Sequence, residues 1–339
     1  MLMSLVMAVT MLTATVMASE PAEVVENRII CLAPSMVEVV YALGLGDQIV
    51  GWSRYTDYPP EIRERDGWVP YGNYEFISVE DELAKDVAVV SGFSDYMPDV
   101  IEALEPTVIL AESAMQYEMY ETLQDEGYTV LFFNPTSLDD VFGMMIGIGD
   151  ALGVLDRAEA LVAEYEMEIE EIREITAELP PVPVYYEIAH RMEYDDVKYG
   201  PYTSGSGSPF DQMVEIAGGV NVFGHLDGDY VAVDYAEIID ADPEVILSPM
   251  WPDAMEGEVT TIREIVMREG FEEIAAVQNS RVLFYDSSLF KRYGPRTVTA
   301  IKKLAYLLHP YYFTNPPDSV TPWELGRVDM TYAPAAVPR

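Results

Sequence analysis

Cysteine, histidine and basic residues are all scarce in this chain of 339 residues. Its one cysteine, Cys31, excludes an intrachain disulfide, and the apolar run around it is typical of a small buried side chain. The three histidines lie far apart and show no zinc-site spacing, so we expect neither a metal site nor a cofactor. Only 19 Lys and Arg stand against 59 Asp and Glu, for a net charge of −40, and there is no basic block. Nucleic acid is therefore excluded as a partner.

Long apolar runs are absent after the first 18 residues. Residues 1–18 are apolar or small, and they end in Val16-Met17-Ala18, which resembles the small-residue site at which a signal peptide is cleaved. We therefore predict a signal peptide over residues 1–18 and a secreted mature chain, in the periplasm or on the outer face of the cytoplasmic membrane. An uncleaved anchor is the alternative, because about 17 apolar residues can just cross a bilayer.

From residue 28 onward, strand-like runs alternate with helical patterns, which predicts α/β lobes with mainly parallel strands. The predicted strands are 28–33, 48–53, 87–90, 107–111, 128–133, 182–189, 244–249 and 281–286, and the predicted helices include 35–46, 209–219 and 295–308. Ser35 and Glu38 have the spacing of a capping box for the first helix. Apolar residues over 156–179 predict a helix about 35 Å long, with a capping box at Asp156 and Glu159.

These elements divide the chain into parts. We predict an N-terminal α/β lobe over 19–137, linking helices with the long helix over 138–180, a C-terminal α/β lobe over 181–313 and an extended tail over 314–339. Two segments of the first lobe have weak echoes in the second: 34–51 resembles 208–224, and 99–111 resembles 236–248. Their common order predicts two similar lobes.

Aromatic and cationic side chains lie in the predicted loops near strand ends. Tyrosine offers a broad apolar face with a hydroxyl, and guanidinium groups suit carboxylate, phosphate or catecholate oxygens. For any one of these residues, a ring that covers a sheet edge or an ordinary surface ion pair is the alternative interpretation. The candidate ligand-binding residues are Arg54, Tyr55, Tyr74, Tyr96, Arg191, Tyr194, Tyr199, Tyr202, Trp251, Arg292 and Tyr293.

Five segments together resemble the helical-backbone (class III) periplasmic binding proteins of ABC importers for ferric siderophores, haem and cobalamin. They are RIICLAPSMVEVVYALGLGDQIVGWSRYTDYPPE (28–61), IEALEPTVILA (101–111), PYTSGSGSPFDQMVEIAGGVNVF (201–223), IIDADPEVIL (238–247) and LFKRYGPRTVTAIKKLAYLLHPYYF (289–313). The resemblance implies an α/β fold of two Rossmann-like lobes joined by one long backbone helix, with a ligand in the cleft between them. By position it implies that Tyr55 faces the ligand and that Arg191, Tyr194, Tyr199, Tyr202 and Arg292 border the cleft.

The resemblance also implies partners. Members of this family usually dock on arginines of the permease through one exposed glutamate in each lobe. Here the matching positions hold Asp99 and Ala236, with Glu237 one residue away. Asp99 and Glu237 are therefore the predicted permease-docking residues, although the second lobe departs from the family pattern.

The sequence thus predicts a secreted, non-enzymatic, monomeric receptor that captures a metal chelate and delivers it to an ABC permease with its ATPase. A ferric siderophore is favoured because the candidate residues mix arginine with tyrosine, and cobalamin is the alternative. Haem is third for want of a well-placed histidine pair, although a tyrosine can ligate its iron. Two other classes stay open: a secreted hydrolase with a cleft carboxylate, and a partner-sensing module that has lost transport.

Overall fold

The computed structural model describes residues 27–69, 78–92, 94–189, 201–250 and 262–313. The predicted signal peptide and tail lie outside these residues. So do five candidate binding residues, which are Tyr74, Arg191, Tyr194, Tyr199 and Trp251. In the described part of the chain, no helix combines the length and the apolar character needed to cross a membrane.

The first lobe is built on a parallel sheet of five strands. They are β1 (Ile29–Cys31), β2 (Ile49–Ser53), β3 (Ala88–Ser91), β4 (Val108–Glu112) and β5 (Val130–Phe133). Their order is β3-β2-β1-β4-β5, as in half of a Rossmann fold. The chain builds outward from β1 in both directions, so the crossover point of this sheet lies between β1 and β4.

Helices cover both faces of this sheet. They are α1 (Pro34–Ala42), α2 (Val79–Leu83), α3 (Pro98–Leu104) and α4 (Tyr117–Asp125). Because successive strand residues point to opposite faces, Ile30 packs with residues of α3 and α4, whereas Ile29 and Cys31 pack with residues of α1. Cys31 is fully buried, as predicted, and burial raises the pKa of its thiol well above the ordinary range.

Two helices, α5 (Leu138–Ala151) and α6 (Leu155–Thr176), lead from the first lobe to the second. The second has 22 residues and is about 33 Å long. The predicted capping box at Asp156 and Glu159 is wrong: the N-cap is Val154, and no side chain caps the helix. A tight turn sets this boundary instead, because the Val154 amide donates to the carbonyl of Gly149 over 2.7 Å.

The second lobe has a four-stranded parallel sheet in the order β11-β10-β6-β8 and a small antiparallel pair, β7 with β9. Its strands are β6 (Val182–Tyr186), β7 (Tyr202–Thr203), β8 (Gly219–Asn221), β9 (Val231–Ala232), β10 (Val245–Met250) and β11 (Val282–Asp286). Its helices are α7 (Pro209–Ile216), α8 (Tyr235–Ala241), α9 (Ile262–Val266), α10 (Ala275–Gln278), α11 (Ser287–Lys291) and α12 (Thr297–Leu308).

The predicted internal echoes are visible as repeated helix–turn–strand units. The units α1–β2 and α7–β8 each begin with a proline in the first helical turn and end the helix before a left-handed glycine, Gly44 or Gly218. The units α3–β4 and α8–β10 each have a left-handed acidic C-cap, Glu105 with φ 45° and Asp242 with φ 41°. The two lobes are therefore similar in local construction.

One cluster of buried side chains connects the two sheets. It runs from Val37 of α1 through Met145 of α5 and Ile169 of α6 to Val184 of β6 and Leu304 of α12. The inner faces of both sheets thus share a core with the linking helices. The predicted fold class, α/β with two Rossmann-like lobes joined by one long backbone helix, is confirmed.

Candidate functional site

A serine and a glutamate meet at the crossover point of the first sheet. Ser35 lies in the first turn of α1, directly after β1, and Glu112 ends β4. The Ser35 hydroxyl donates to Glu112 Oε2 over 2.6 Å. In open α/β sheets, ligands bind outside the carboxyl ends of the strands at this point, so the pair is the first candidate for a ligand contact.

The predicted capping box of Ser35 and Glu38 is wrong. The N-cap of α1 is Ala33, without a side-chain cap, because both polar side chains have partners far away in sequence. The Glu38 carboxylate accepts two hydrogen bonds from the second lobe, from Arg296 Nε over 2.7 Å and from Arg296 Nη2 over 2.5 Å. Burial raises the pKa of Glu38, and Arg296 opposes that rise. The pair therefore connects the lobes.

A second ion pair between the lobes lies beside the first. Arg292, which follows α11, pairs with Asp57 and donates to the backbone carbonyl of Tyr55 over 3.2 Å. The guanidinium of Arg296 also lies over the ring of Tyr58, 4.3 Å from its centroid. We name the set of Ser35, Glu38, Asp57, Glu112, Arg292 and Arg296 the inter-lobe floor.

Glu112 differs from the other carboxylates of the inter-lobe floor. Burial raises its pKa to about 7, and Glu38 adds to the rise, while Ser35 and Arg292 oppose it. The side chain is half-buried, so part of it remains open to solvent. A carboxyl group in this state exchanges its proton near neutral pH and is able either to donate or to accept a hydrogen bond.

Arg54 and Tyr55, both predicted binding residues, lie together at the end of β2. Arg54 Nη2 donates to the Tyr55 hydroxyl over 3.2 Å, and its guanidinium carbon lies 5.1 Å from the centre of that ring. Asp95 pairs with Arg54 at 3.5 Å. Gly92 lies beside this pair, and a Cβ at this position would come within 2.1 Å of Asp95 Oδ1 and 2.6 Å of Arg54 Nη2, so these two side chains would have to shift.

Tyr96 lies apart from this group. It packs against the cluster on the outer face of the first sheet, the face that α3 and α4 cover. Burial raises its pKa, with smaller contributions from Glu126 and Tyr128. The position of Tyr96 therefore fits a ring that covers the sheet better than a ring that contacts a ligand.

Tyr202 packs against Tyr230, an aromatic residue that is not among the predicted binding residues. Its ring stacks on Tyr230 with centroids 4.3 Å apart and planes at 19°. The Tyr202 backbone is fixed beside the end of β6 by hydrogen bonds with Ile188 and Ala189. Tyr230 is 54% exposed, so this stack offers an accessible ring at the carboxyl end of the second sheet.

Tyr293 and Lys291 lie on either side of Arg292. Burial strongly raises the pKa of the Tyr293 hydroxyl, Ser208 opposes the rise as a hydrogen-bond partner, and the charges of Asp229 and Glu112 add to it. Lys291 donates to the carbonyl of Ile188 over 2.9 Å, and burial lowers its pKa to about 8. Both residues therefore help to fix the segment that carries Arg292 beside the second sheet.

The predicted docking residues lie on equivalent helices in different states. Asp99 is exposed in the first turn of α3, and Glu237 is exposed in the first turn of α8. The Glu237 carboxylate accepts from the Asp234 amide over 2.8 Å in a capping box. Glu237 therefore stabilises the start of its own helix. The Asp99 side chain, in contrast, makes no hydrogen bond with the described residues.

The inter-lobe floor contains five residues that were not predicted as site residues: Ser35, Glu38, Asp57, Glu112 and Arg296. Ser35 and Asp57 lie in the segments that follow β1 and β2, and this position is the signal that could have found them. Among the described residues, no group of three or more His, Cys, Asp or Glu side chains is suited to hold a metal ion.

Comparison with known proteins agrees with this architecture. The ABC transporter substrate-binding lipoprotein YvrC of Bacillus subtilis (strain 168), itself uncharacterized, is 26% identical over 290 residues, 85% of this chain and 81% of the relative. The vitamin B12-binding protein of Vibrio cholerae serotype O1 is 24% identical over 283 residues, 83% and 89% of the two chains. The solved structure of the periplasmic heme-binding protein RhuT from Roseiflexus sp. RS-1, in apo form, has a TM-score of 0.66 at 22% identity and covers 84% of this chain and 98% of its own.

The family match itself extends across both lobes. Residues 29–289 match the periplasmic binding protein family, from β1 of the first lobe to α11 of the second. The match includes the crossover point of the first sheet and the helices that link the lobes. With its two parallel sheets and their shared core, this chain belongs to the periplasmic binding protein family.

Proposed function

We propose that this chain is the extracytoplasmic substrate-binding protein of an ABC importer and that it binds a bulky metal chelate over the inter-lobe floor. The observation that carries the proposal is that residues after the strands of both sheets meet at this floor, where Arg292 of the second lobe contacts Asp57 and Tyr55 of the first. Ligands of open α/β folds bind at such carboxyl ends. The names of the relatives support the same role.

Charge pairing bears on the class of chelate. Each of the three arginines described at this face already has a carboxylate partner: Arg54 has Asp95, Arg292 has Asp57 and Arg296 has Glu38. Paired guanidiniums leave little positive potential for a strongly anionic ligand. A corrinoid such as cobalamin, with many neutral amide groups, therefore fits the described floor better than the ferric siderophore favoured from sequence. Haem, with two carboxylates, fits less well.

Isothermal titration calorimetry with four ligands tests this order. The mature chain is titrated with cyanocobalamin, haemin, a ferric hydroxamate and a ferric catecholate under one set of conditions. We expect one cyanocobalamin to bind per chain, more tightly than any other ligand. If a ferric chelate or haemin binds more tightly, that ligand rather than cobalamin is the one that the site prefers. Absence of binding in all four titrations would contradict the proposal.

Two tyrosine variants locate the site. Tyr55→Ala removes a ring that lies beside the inter-lobe floor, and we expect it to weaken the preferred chelate by about 1–3 kcal/mol, as loss of an anchoring aromatic does. Tyr311→Ala is the matched control, because this tyrosine is 93% exposed beyond α12. Equal affinities of the two variants would remove Tyr55 from the site. Arg292→Ala is expected to weaken binding as well, through loss of its contacts to Asp57 and Tyr55.

Two measurements distinguish a receptor from a secreted hydrolase and from a partner-sensing module. A receptor returns the chelate unchanged, so mass spectrometry of the released ligand is expected to show the starting mass, whereas a hydrolase would give new species. Transport into proteoliposomes with the cognate permease and ATPase is expected, whereas a sensing module would bind without transport.

Docking on the permease is proposed through the exposed carboxylates Asp99 and Glu237. Asp99→Asn is expected to lower the rate of transport in proteoliposomes while chelate affinity stays the same. The equivalent change Glu237→Gln also weakens the capping box of α8, so its effect on transport is compared with its effect on thermal stability. Full transport by the double variant would contradict these docking positions.

A further inference from the structure

Glu112 has the geometry of a ligand-binding group rather than that of a purely structural one. Its Oε2 atom accepts the Ser35 hydroxyl over 2.6 Å, and its Oε1 atom accepts no hydrogen bond from the described residues. Its backbone is fixed as well, because the Glu112 amide donates to Gln116 Oε1 over 3.2 Å. A carboxyl oxygen that has no hydrogen-bond partner among the described residues, on a half-buried side chain at the crossover point of the sheet, is available to a ligand.

Burial favours the neutral form of Glu112, whereas its neighbours act in both directions: the Ser35 hydroxyl and Arg292 favour the ionised form, and Glu38 favours the neutral one. From α1, Glu38 lies near enough to disfavour a second negative charge, and its own partner is Arg296. From the segment after α11, Arg292 opposes this effect, but its guanidinium already pairs with Asp57. The Tyr293 hydroxyl, which interacts electrostatically with Glu112, carries no charge at neutral pH because burial strongly raises its pKa. Burial of Glu112 itself is the largest cause of the rise in its pKa to about 7.

We propose that Glu112 is a ligand-contacting residue whose neutral carboxyl donates its O–H to a carbonyl or amide oxygen of the chelate, so that ionisation of this carboxyl weakens binding. The inference rests on the proposed function, because it needs a ligand over the inter-lobe floor. On ionisation the proton passes to solvent and the donated hydrogen bond is lost. The carboxylate then presents only acceptor oxygens to the acceptor oxygens of the ligand.

The inference predicts the class of ligand group that this position selects. A neutral carboxyl offers one donor and retains an acceptor, so it suits amide side chains, which present both.

The test is the affinity for cyanocobalamin at pH 6, 7 and 8, measured by calorimetry with wild type, Glu112→Gln and Glu118→Gln. For wild type we expect little change from pH 6 to 7 and then weakening that approaches tenfold for each unit of pH. Glu112→Gln keeps a neutral donor at this position, so its affinity is expected to be flat and about tenfold tighter than wild type at pH 8. Glu118, exposed on α4, is the matched control, and its variant is expected to follow wild type.

A second readout uses wild type alone. Titrations at pH 8 in two buffers of different ionisation enthalpy measure proton exchange on binding, and we expect uptake of nearly one proton per ligand. Lys291, with a pKa lowered to about 8, also titrates in this range, but it is intact in Glu112→Gln, so uptake that disappears in this variant belongs to Glu112.

The outcomes separate the two proposals. If cyanocobalamin binds wild type with the same pH profile as Glu112→Gln, or without proton uptake, the role of Glu112 is wrong while the receptor function stands. If cyanocobalamin binds neither protein at any pH, the assignment of an amide-rich corrinoid fails and the role of Glu112 fails with it. Circular dichroism spectra that match wild type are the condition for interpreting the variant.

Discussion

The two lobes use the same helix–turn–strand unit for different purposes. Aligned on Pro34 and Pro209, which both lie in the first turn of their helices, Ser35 of α1 corresponds to Phe210 of α7, and Glu38 corresponds to Met213. The first lobe thus places a hydroxyl and a carboxylate where the second places an aromatic ring and a thioether. Phe210 and Met213 are completely buried in the core.

A similar contrast is found in the strands of the second pair of repeated units, α3–β4 and α8–β10. Glu112 ends β4 at the position where β10 has Pro249. The first lobe therefore supplies the titratable groups of the inter-lobe floor, and the second supplies two guanidiniums from the segment around α11 and α12. Similar local structure thus holds the buried polar side chains Ser35 and Glu38 in one lobe and the apolar core side chains Phe210 and Met213 in the other. The function of these positions is therefore not inherited from the repeated unit.

The largest expected effect is the difference between Phe210→Ala and Ser35→Ala. Phe210 stacks on Tyr186 with centroids 3.8 Å apart, so its removal leaves a cavity and is expected to lower the free energy of unfolding by about 3–5 kcal/mol. Ser35→Ala removes one hydrogen bond and is expected to cost about 1 kcal/mol. Urea unfolding measures both, and equal losses would contradict the proposed division of roles.

Breaking the ion pair between the lobes is expected to have the next largest effect. Glu38→Ala leaves the buried Arg296 guanidinium without its carboxylate, so the free energy of unfolding is expected to fall by about 3 kcal/mol. Glu170→Ala, which breaks an exposed pair with Arg173 in α6, is the control and is expected to cost less than about 0.5 kcal/mol. A loss at Glu38 no larger than the control would show that the pair does not hold the lobes.

The pH dependence of stability sharpens the comparison at Glu112. The pKa of its carboxyl is about 7 in the folded chain and near the ordinary value of 4.5 when unfolded. Between these values only the unfolded chain ionises this group, so its contribution to the free energy of unfolding falls as pH rises from about 4.5 to about 7, by about 3 kcal/mol in total. Glu112→Gln is expected to lose this slope and to be more stable than wild type at pH 8. Thermal melts of both proteins at pH 5 and 8 with identical shifts would contradict it.

The smallest expected effect is the difference between the two helix C-caps with a left-handed backbone, Glu105 and Asp242. Glu105→Gly relieves a backbone conformation that non-glycine residues adopt at a cost, and we expect a gain of about 0.5 kcal/mol. Asp242→Gly relieves the same conformation but loses the hydrogen bond that Asp242 Oδ1 accepts from the Ala275 amide over 2.8 Å. It is expected to be neutral or destabilising. Equal gains in melting temperature would show that this hydrogen bond contributes nothing.

The sequence was a good guide to elements with a clear period. Every predicted strand overlaps an observed one, because runs of β-branched and apolar residues lie in buried parallel strands. The strands β7, β8 and β9 were missed, because two or three residues are too few to show alternation. The capping boxes failed for a different reason: the partners of Ser35 and Glu38 are 77 and 258 residues away, and a local rule cannot weigh such contacts.

The site was predicted less completely than the fold. Arg292 and Tyr55 were found from resemblance and lie in contact at the inter-lobe floor. Glu112 was not found, since a glutamate at the end of an apolar strand has no distinctive pattern until the strand order places it beside β1. Tyr96 shows the converse: it follows a strand end, yet it packs on the outer face of the sheet. Position along the chain identifies the loop but not the direction of the side chain.

Hydrogen–deuterium exchange with and without cyanocobalamin tests most directly whether the ligand lies over the inter-lobe floor. We expect slower exchange in the segments 53–58, 112–116 and 286–296, which carry Asp57, Glu112, Arg292 and Arg296 of the floor, and unchanged exchange in α3 and α8 on the outer faces. Saturating ligand that slows exchange only in α3 or α8, or that leaves all three floor segments unchanged, would contradict the account.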